Sequence, residues 1–297
     1  MKSFIFLLIF ILSLSLAAPK PAFAQAQLDK VLLLQQIEIL KHEIEVLKSL
    51  VLSLNSRKVP IADAFIAVRL SDNKVLLERN LNQVHSIASI TKLMTSVVAL
   101  ENIASNQEIT LTQAMLEPLG HSPSLFLGLN IGAENLLKAA LIQSSNDAAE
   151  ALTFFVGKEN FLSLMNQKAK ELGMRNTVFI DANGLHPGNH STASDIVKLM
   201  SYIYSQHPEI LQITKNNDFW LPDATGRRLK FQNENNFYPL GEFVGGKTGY
   251  LVEAKQTIAS VFNVNQEPIA IILLYSDNLQ ADVFAIINQL KNRSLAQ

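Results

Sequence analysis

Between Leu28 and Leu54 apolar residues recur at Leu33, Ile37, Leu40, Ile44, Leu47, Val51 and Leu54, in alternating steps of four and three. That is the seam of a heptad repeat, flanked by Lys41, Glu43, Glu45 and Lys48. It predicts an amphipathic helix, read as a short coiled coil that makes a homo-oligomer or as a stalk. Because Leu32, Leu34, Val46 and Leu50 widen the apolar stripe, a helix packed on its own domain is the alternative. Pro60 ends the segment, and from Val59 the pattern changes. Residues 62–70 and 74–79 flank the polar break Ser71-Asp72-Asn73-Lys74, as the strands of a hairpin do. Helices are predicted at 89–103, Glu134 to Ile142, Asp147 to Phe155 and Phe161 to Leu172, the last closed by Gly173. Thr192-Ala193-Ser194-Asp195 opens a further helix in the manner of a capping box. Residues 243–249, 256–264 and 268–275 predict three strands, and Leu279 to Lys291 a closing helix. Strands at both ends with helices between them define an α+β fold, an antiparallel sheet joined from both termini with a helical lobe beside it.

The extreme N-terminus follows another rule. Lys2 precedes an apolar stretch from Phe4 to Ala18, interrupted only by Ser13 and Ser15, and then come Pro19, Pro21 and the small-x-small string Ala22-Phe23-Ala24. This is the order of charge, apolar core and cleavage site of a secretory signal peptide. The run is short for a membrane span, which needs about 20 residues. The expected division is therefore 1–24 signal peptide, 25–58 helical coiled-coil segment and 59–297 α+β domain. The expected location is the periplasm or cell-wall space, with the protein secreted or tethered by its N-terminal segment. A formal net charge of −1 gives no basis for nucleic-acid binding by bulk charge. The absence of cysteine excludes disulfides, thiolate metal sites and thiol catalysis.

Three short strings carry the chemistry: Ser89-Ile90-Thr91-Lys92, Ser144-Ser145-Asn146 and Lys247-Thr248-Gly249. The first two patterns recur elsewhere, S-x-x-K at Ser71 to Lys74 and S-x-N at Ser276 to Asn278 among others, so order and spacing give the set its specificity. A serine hydroxyl is a weak nucleophile that needs a base beside it. Residues i and i+3 of a helix share a face, so Ser89 at a helix start and Lys92 one turn on can bring hydroxyl and amine together. To act as a base Lys92 must be neutral, which calls for burial or a neighbouring cation. Lys247 is the candidate cation.

In this order the strings resemble the signature of class A β-lactamases and penicillin-binding proteins. Ser89 to Thr95, Ser144 to Ala149 and Gly246-Lys247-Thr248-Gly249-Tyr250 are similar to the D-alanyl-D-alanine carboxypeptidases, the low-molecular-mass penicillin-binding proteins. Ala169 to Met174, Asn183-Gly184-Leu185, Ser191 to Asp195 and Asn233-Glu234-Asn235 match further, and the resemblance spans roughly residues 60–290. It implies a β-lactamase/transpeptidase-like fold and a serine-type carboxypeptidase without metal or cofactor. The substrate would be a peptidoglycan stem peptide ending in D-Ala-D-Ala, and β-lactams would be covalent inhibitors. Carried over, Ser89 is the nucleophile, Lys92 its base and Ser144 the proton relay to the leaving amine. Asn146 holds the substrate amide, and Lys247 and Thr248 its terminal carboxylate. Gly249 lets the substrate backbone lie close, and the N–H of Tyr250 joins that of Ser89 as oxyanion donor. After Tyr250 the family often continues with Thr and then Ala-Gly, whereas this chain reads Leu251-Val252-Glu253-Ala254-Lys255, which alters the edge of the cleft. Three alternatives accompany this reading. A D,D-endopeptidase would use the same residues. A class A β-lactamase would need a Glu-x-x-x-Asn loop, but Glu171 is followed at that spacing by Arg175. A catalytically silent wall scaffold would act through the coiled coil. His186 and His190 read as surface or cleft-lining residues.

Overall fold

The computed structural model describes residues 33–42, 44, 47, 59–118, 120, 124–223 and 225–294, and the chain divides into two compact units, 1–48 and 49–297. In the first unit 33–42, 44 and 47 are helical, and the seam residues Leu33, Ile37, Leu40, Ile44 and Leu47 are exposed. The signal segment 1–24 and the seam positions Val51 and Leu54 lie outside the described residues. Among the described residues no helix is long and apolar enough to cross a membrane.

The second unit begins with β1 (Ala64–Arg69) and β2 (Lys74–Arg79), the predicted hairpin, whose turn places Asn73 at φ +56°. After β3 (His85–Ser86) and a 3-10 turn (Ala88–Ile90) comes α1 (Thr91–Asn102). A small ladder of β4 (Glu108–Thr110) and β5 (Asn130–Gly132) leads into α2 (Ala133–Ile142), α3 (Asn146–Thr153) and α4 (Lys158–Glu171). Next follow β6 (His190–Ser191), α5 (Ala193–Gln206), α6 (Pro208–Lys215) and the hairpin β7 (Asp218–Pro222) and β8 (Arg228–Gln232). The chain returns to the main sheet with β9 (Phe243–Leu251), β10 (Lys255–Val264) and β11 (Glu267–Ser276) and closes with α7 (Leu279–Ser294).

The main sheet has the order β2-β1-β11-β10-β9 and is antiparallel throughout. The first strand thus sits between strands from opposite ends of the chain, which is the expected α+β arrangement. Side chains of a strand alternate between faces, and here both faces are covered. Along β11, Ala270, Ile272 and Leu274 enter the core under the helical lobe, while Ile269, Ile271 and Leu273 enter a second core under α7. The strand therefore reads as a continuous apolar run rather than an alternation. Phe237 and Phe243 each meet Phe262 edge-to-face in the second core, geometry that adds to the burial of three large rings. On the other face α5 packs against β1, β10 and β11, with Thr192 capping it by accepting the Asp195 N–H at 3.1 Å. α1 is central, buried from Thr91 to Ala99, and α6 lies along β9. β2 and β9 are the edge strands, and the free side of β9 borders the helical lobe.

Candidate active site

The three strings converge beside β9. Ser89 lies in the 3-10 turn, two residues before α1 begins, so its hydroxyl is presented ahead of the helix rather than within it. The preceding residue, Ala88, has φ +48°, a left-handed conformation that a β-carbon disfavours. Two glycines enclose this corner. A β-carbon on Gly184, itself at φ +83°, would overlap the Ala88 carbonyl. One on Gly249 would stand 2.7 Å from the Ser89 backbone nitrogen and 3.0 Å from Ala88 Cβ. The sequence reading gave Gly249 the task of admitting a substrate backbone. The close approach seen here is to the backbone of Ser89, and it gives this position a second reason to lack a side chain.

Lys92, in the first turn of α1, has no exposed surface. Its Nζ is 3.0 Å from Ser89 Oγ, 2.7 Å from Asn146 Oδ1 and 2.5 Å from the Asn183 carbonyl oxygen. Burial first, and then the Lys247 ammonium, hold the Lys92 amine well below the ordinary lysine range, against the opposing charges of Asp181 and Glu234. A neutral amine has two N–H donors and one lone pair. Asn146 Oδ1 and the Asn183 carbonyl can only accept, so they take the two donors. The lone pair is left for the Ser89 hydroxyl, which donates to it.

Ser144 sits at the corner between α2 and α3 with φ +57°, another non-glycine residue in a left-handed conformation of the kind that collects at functional sites. Ser145 caps α3 by accepting the Ala148 N–H at 3.1 Å, and Asn146 is the first residue of the helix. The resemblance assigned Asn146 to the substrate amide, and in this structure its Oδ1 accepts from Lys92 Nζ at 2.7 Å. Lys247 is buried on β9 and donates to the Thr248 carbonyl at 2.9 Å. Burial lowers its pKa to about 8, with Glu234 pulling the other way. Asn233 and Asn235 brace the loop before β9: Asn233 Nδ2 donates to the carbonyls of Thr214 and Asn216 at 2.8 and 2.6 Å, and Asn235 Nδ2 to that of Gly246 at 3.3 Å.

A cleft of about 960 Å³ is lined by Ser89, Ser144, Asn146, Lys247, Thr248, Gly249 and Tyr250, and its wall also includes Gln256, Asp277 and Gln280. Lys92 lies beneath it, bonded to Ser89 and Asn146, so the structure brings all eight sequence-predicted residues together. Tyr250 stands at the rim, 66% exposed. Glu171 is outside the lining: it ends α4, bound to Gln167 at 2.8 Å and paired with Lys168 at 3.3 Å. His186 and His190 are outside it too, each bonded to Gly188. Among the described residues no three His, Asp or Glu side chains are grouped as a metal site requires. Sequence reasoning matched Asn183 and Glu234 within strings of the resemblance without giving either a role, and it missed Asp181. A backbone acceptor carries no residue-type signal, and the two carboxylates belong to no spacing rule.

A covered antiparallel sheet, a helical lobe and a serine–lysine pair at the foot of a cleft define the class, a serine-type peptidase. The chain belongs to the D-alanyl-D-alanine carboxypeptidase family, whose model matches residues 55–278. It is 32% identical over 200 residues to a D-alanyl-D-alanine endopeptidase of Haemophilus influenzae, covering 65% of this chain and 68% of that protein. It is 30% identical over 223 residues to the D-alanyl-D-alanine carboxypeptidase DacF of Bacillus subtilis, covering 71% of this chain and 57% of that protein. Among solved structures, a D-alanyl-D-alanine carboxypeptidase from Mycobacterium tuberculosis superposes with a TM-score of 0.72 at 25% identity, over 78% of this chain and 91% of that one. Penicillin-binding protein D2 from Listeria monocytogenes in its ampicillin-bound form superposes with a TM-score of 0.67 at 26% identity, over 78% and 97%.

Proposed function

We propose that this chain is an extracytoplasmic serine D-Ala-D-Ala carboxypeptidase that removes the terminal D-Ala of peptidoglycan stem peptides through a Ser89 ester. The observation that carries the reading is the buried Lys92 amine, whose fixed acceptors leave its lone pair on the Ser89 hydroxyl. Lys247 and Thr248 bind the terminal carboxylate. Ser89 Oγ attacks the carbonyl of the penultimate D-Ala and its proton passes to Lys92 Nζ. The oxyanion is held by the N–H groups of Ser89 and Tyr250, which the Gly249–Ser89 contact keeps close together. The C–N bond breaks as the Ser144 hydroxyl gives its proton to the leaving amine and takes the proton from Lys92 in return, which leaves the lysine neutral again. Water, deprotonated by the same lysine, then cleaves the ester and restores Ser89. β-Lactams, as cyclic amides bearing a carboxylate, follow the first half of this course. Intact-mass time courses with a penicillin test the reading. A lasting adduct, mapped to the peptide containing Ser89, is expected. An adduct that forms and clears within seconds means a β-lactamase, and no adduct overturns the assignment.

A second reading, endopeptidase action on cross-links, is favoured by one feature. The cleft wall includes Gln256, Asp277 and Gln280 besides the motif residues, and its volume of about 960 Å³ has room for more than a terminal dipeptide. Release of D-Ala from an uncross-linked stem pentapeptide, compared with scission of a cross-linked dimer, separates the two.

The helical segment is proposed to join copies of this chain. Its exposed heptad seam has the spacing of a coiled coil, and a contiguous exposed apolar stripe marks an interaction surface. Residues 1–24 are proposed to direct export. A protein spanning 25–297 is expected to sediment as an oligomer and one spanning 59–297 as a monomer, with equal acylation rates. Equal masses would dismiss the coiled coil, and loss of acylation on truncation would mean that the helix completes the catalytic unit.

A further inference from the structure

One buried carboxylate beside the site takes no part in this chemistry. Glu150 lies on α3, one turn after Asn146, so the two residues share a face of the helix. It is buried, at 4% exposure. Its Oε1 is bonded to Lys158 Nζ at 2.5 Å, and its Oε2 accepts from Asn183 Nδ2 at 3.3 Å. Asn183, also buried, accepts the Leu185 N–H on its own Oδ1 at 3.0 Å. Its backbone carbonyl is the acceptor that Lys92 Nζ meets at 2.5 Å.

We propose that Glu150 is a positioning residue for the Lys92 base, acting through the Asn183 side chain. Both fixed acceptors of the Lys92 amine then depend on α3. Asn146 supplies one directly, and Glu150 fixes the other by clamping the residue that presents it. The clamp is two-sided, with the carboxylate on the amide nitrogen and the Leu185 N–H on the amide oxygen, so the Asn183 side chain has one orientation. The adjoining Gly184 bears on Ala88, the residue before the nucleophile, so a shift of Asn183 moves base and nucleophile relative to each other. Lys158 is half exposed and pairs with the other carboxylate oxygen of Glu150 at 2.5 Å. A plain ion pair between α3 and α4 would explain the Lys158 contact alone. It would not explain why the second oxygen meets the amide of the residue behind the base.

The inference rests on Lys92 acting as the base, and wild-type protein is measured first: if it is not acylated, the functional reading itself fails. With an acylating wild type, rates of acylation by a penicillin are followed across pH for full-length Glu150→Ala, Glu150→Gln, Asn183→Ala and the Glu150→Ala/Asn183→Ala pair. Glu150→Ala is expected to lower the maximal acylation rate about tenfold or more, with the affinity of the first encounter little changed. Glu150→Gln keeps an acceptor for Asn183 Nδ2 and is expected to retain most of the rate. Asn183→Ala keeps the carbonyl but frees it, and should match Glu150→Ala. The double variant should be no slower than either single one, since both break the same link. The groups facing Lys92 are Lys247, Asp181 and Glu234. They remain, and a loosened acceptor stabilises the ammonium less, so the acid limb of the rate profile should move to lower pH. A purely structural role predicts additive losses of melting temperature and an unmoved limb. The proposal is overturned by that result, or by wild-type acylation rates in Glu150→Ala. If Glu150→Ala does not fold, wild-type rates and an unmoved limb in Asn183→Ala overturn it.

Discussion

Lys92→Met is expected to lower the rate of Ser89 acylation by about three orders of magnitude or more, in the upper range for loss of a general base. The methionine fills a similar volume but offers no lone pair at the position now 3.0 Å from Ser89 Oγ. Lys92→Arg is expected to do no better, because a guanidinium stays protonated and can only donate. The wild-type pH dependence follows from the same charges. Acylation needs Lys92 neutral, so the rate rises with pH through a lysine pKa held well below its ordinary value by burial and by Lys247. In the proposed mechanism a carboxylate-bearing penicillin binds to protonated Lys247, so the second-order rate is expected to fall again above about 8. The result is a bell. Lys247→Met removes the cation that helps keep Lys92 neutral, so it should move the acid limb to higher pH and abolish the alkaline limb. Stopped-flow acylation across pH checks both signs. Undiminished acylation in Lys92→Met would remove the lysine from the mechanism.

The parts of this molecule that were legible in the sequence are those with a repeating cause. β10 and β11 show as apolar runs because both faces of the sheet are covered, and the β1–β2 hairpin shows because polar residues break it at Ser71 to Lys74. The capped start of α5 shows because Thr192 and Asp195 have the right spacing. The start of α1 was placed two residues early, at Ser89, because a 3-10 turn and a first helical turn share i to i+3 spacing. The pairing of His85 and Ser86 with Ser191 and His190 has no period to detect. The β7–β8 hairpin was missed because Arg227, Arg228 and Lys230 make it read as a solvated stretch, although Leu229 and Phe231 are buried beneath it. At the site, side chains named by motif were found together. The two glycines around Ala88 stand in the strings Asn183-Gly184-Leu185 and Lys247-Thr248-Gly249, but their packing against Ala88 and the Lys92 contact to the Asn183 carbonyl are backbone geometry that spacing does not show.

Gly249→Ala tests the most specific of these supports. The added methyl would stand 2.7 Å from the Ser89 nitrogen, 2.8 Å from Thr257 Oγ1 and 3.0 Å from Ala88 Cβ. Two of those atoms belong to the strained corner that carries the nucleophile, and neither is the free end of a flexible chain. β9 must therefore move away from Ser89, or the corner must turn. Either motion separates the N–H groups proposed to hold the oxyanion and shifts Oγ relative to Lys92 Nζ. A displacement of about 1 Å near reacting atoms lowers rates about a hundredfold, so acylation is expected to fall by at least that factor. Overpacking of this kind also lowers stability by about 1–3 kcal/mol, which leaves enough folded protein to measure. Gly241→Ala is the control, since a β-carbon there meets nothing within 4 Å, and it should acylate as the wild type does. If glycine at 249 served only to admit the substrate, Gly249→Ala would weaken penicillin binding but leave the maximal acylation rate and the melting temperature intact. Loss of the maximal rate together with a lowered melting temperature is the outcome that places the contact on the nucleophile.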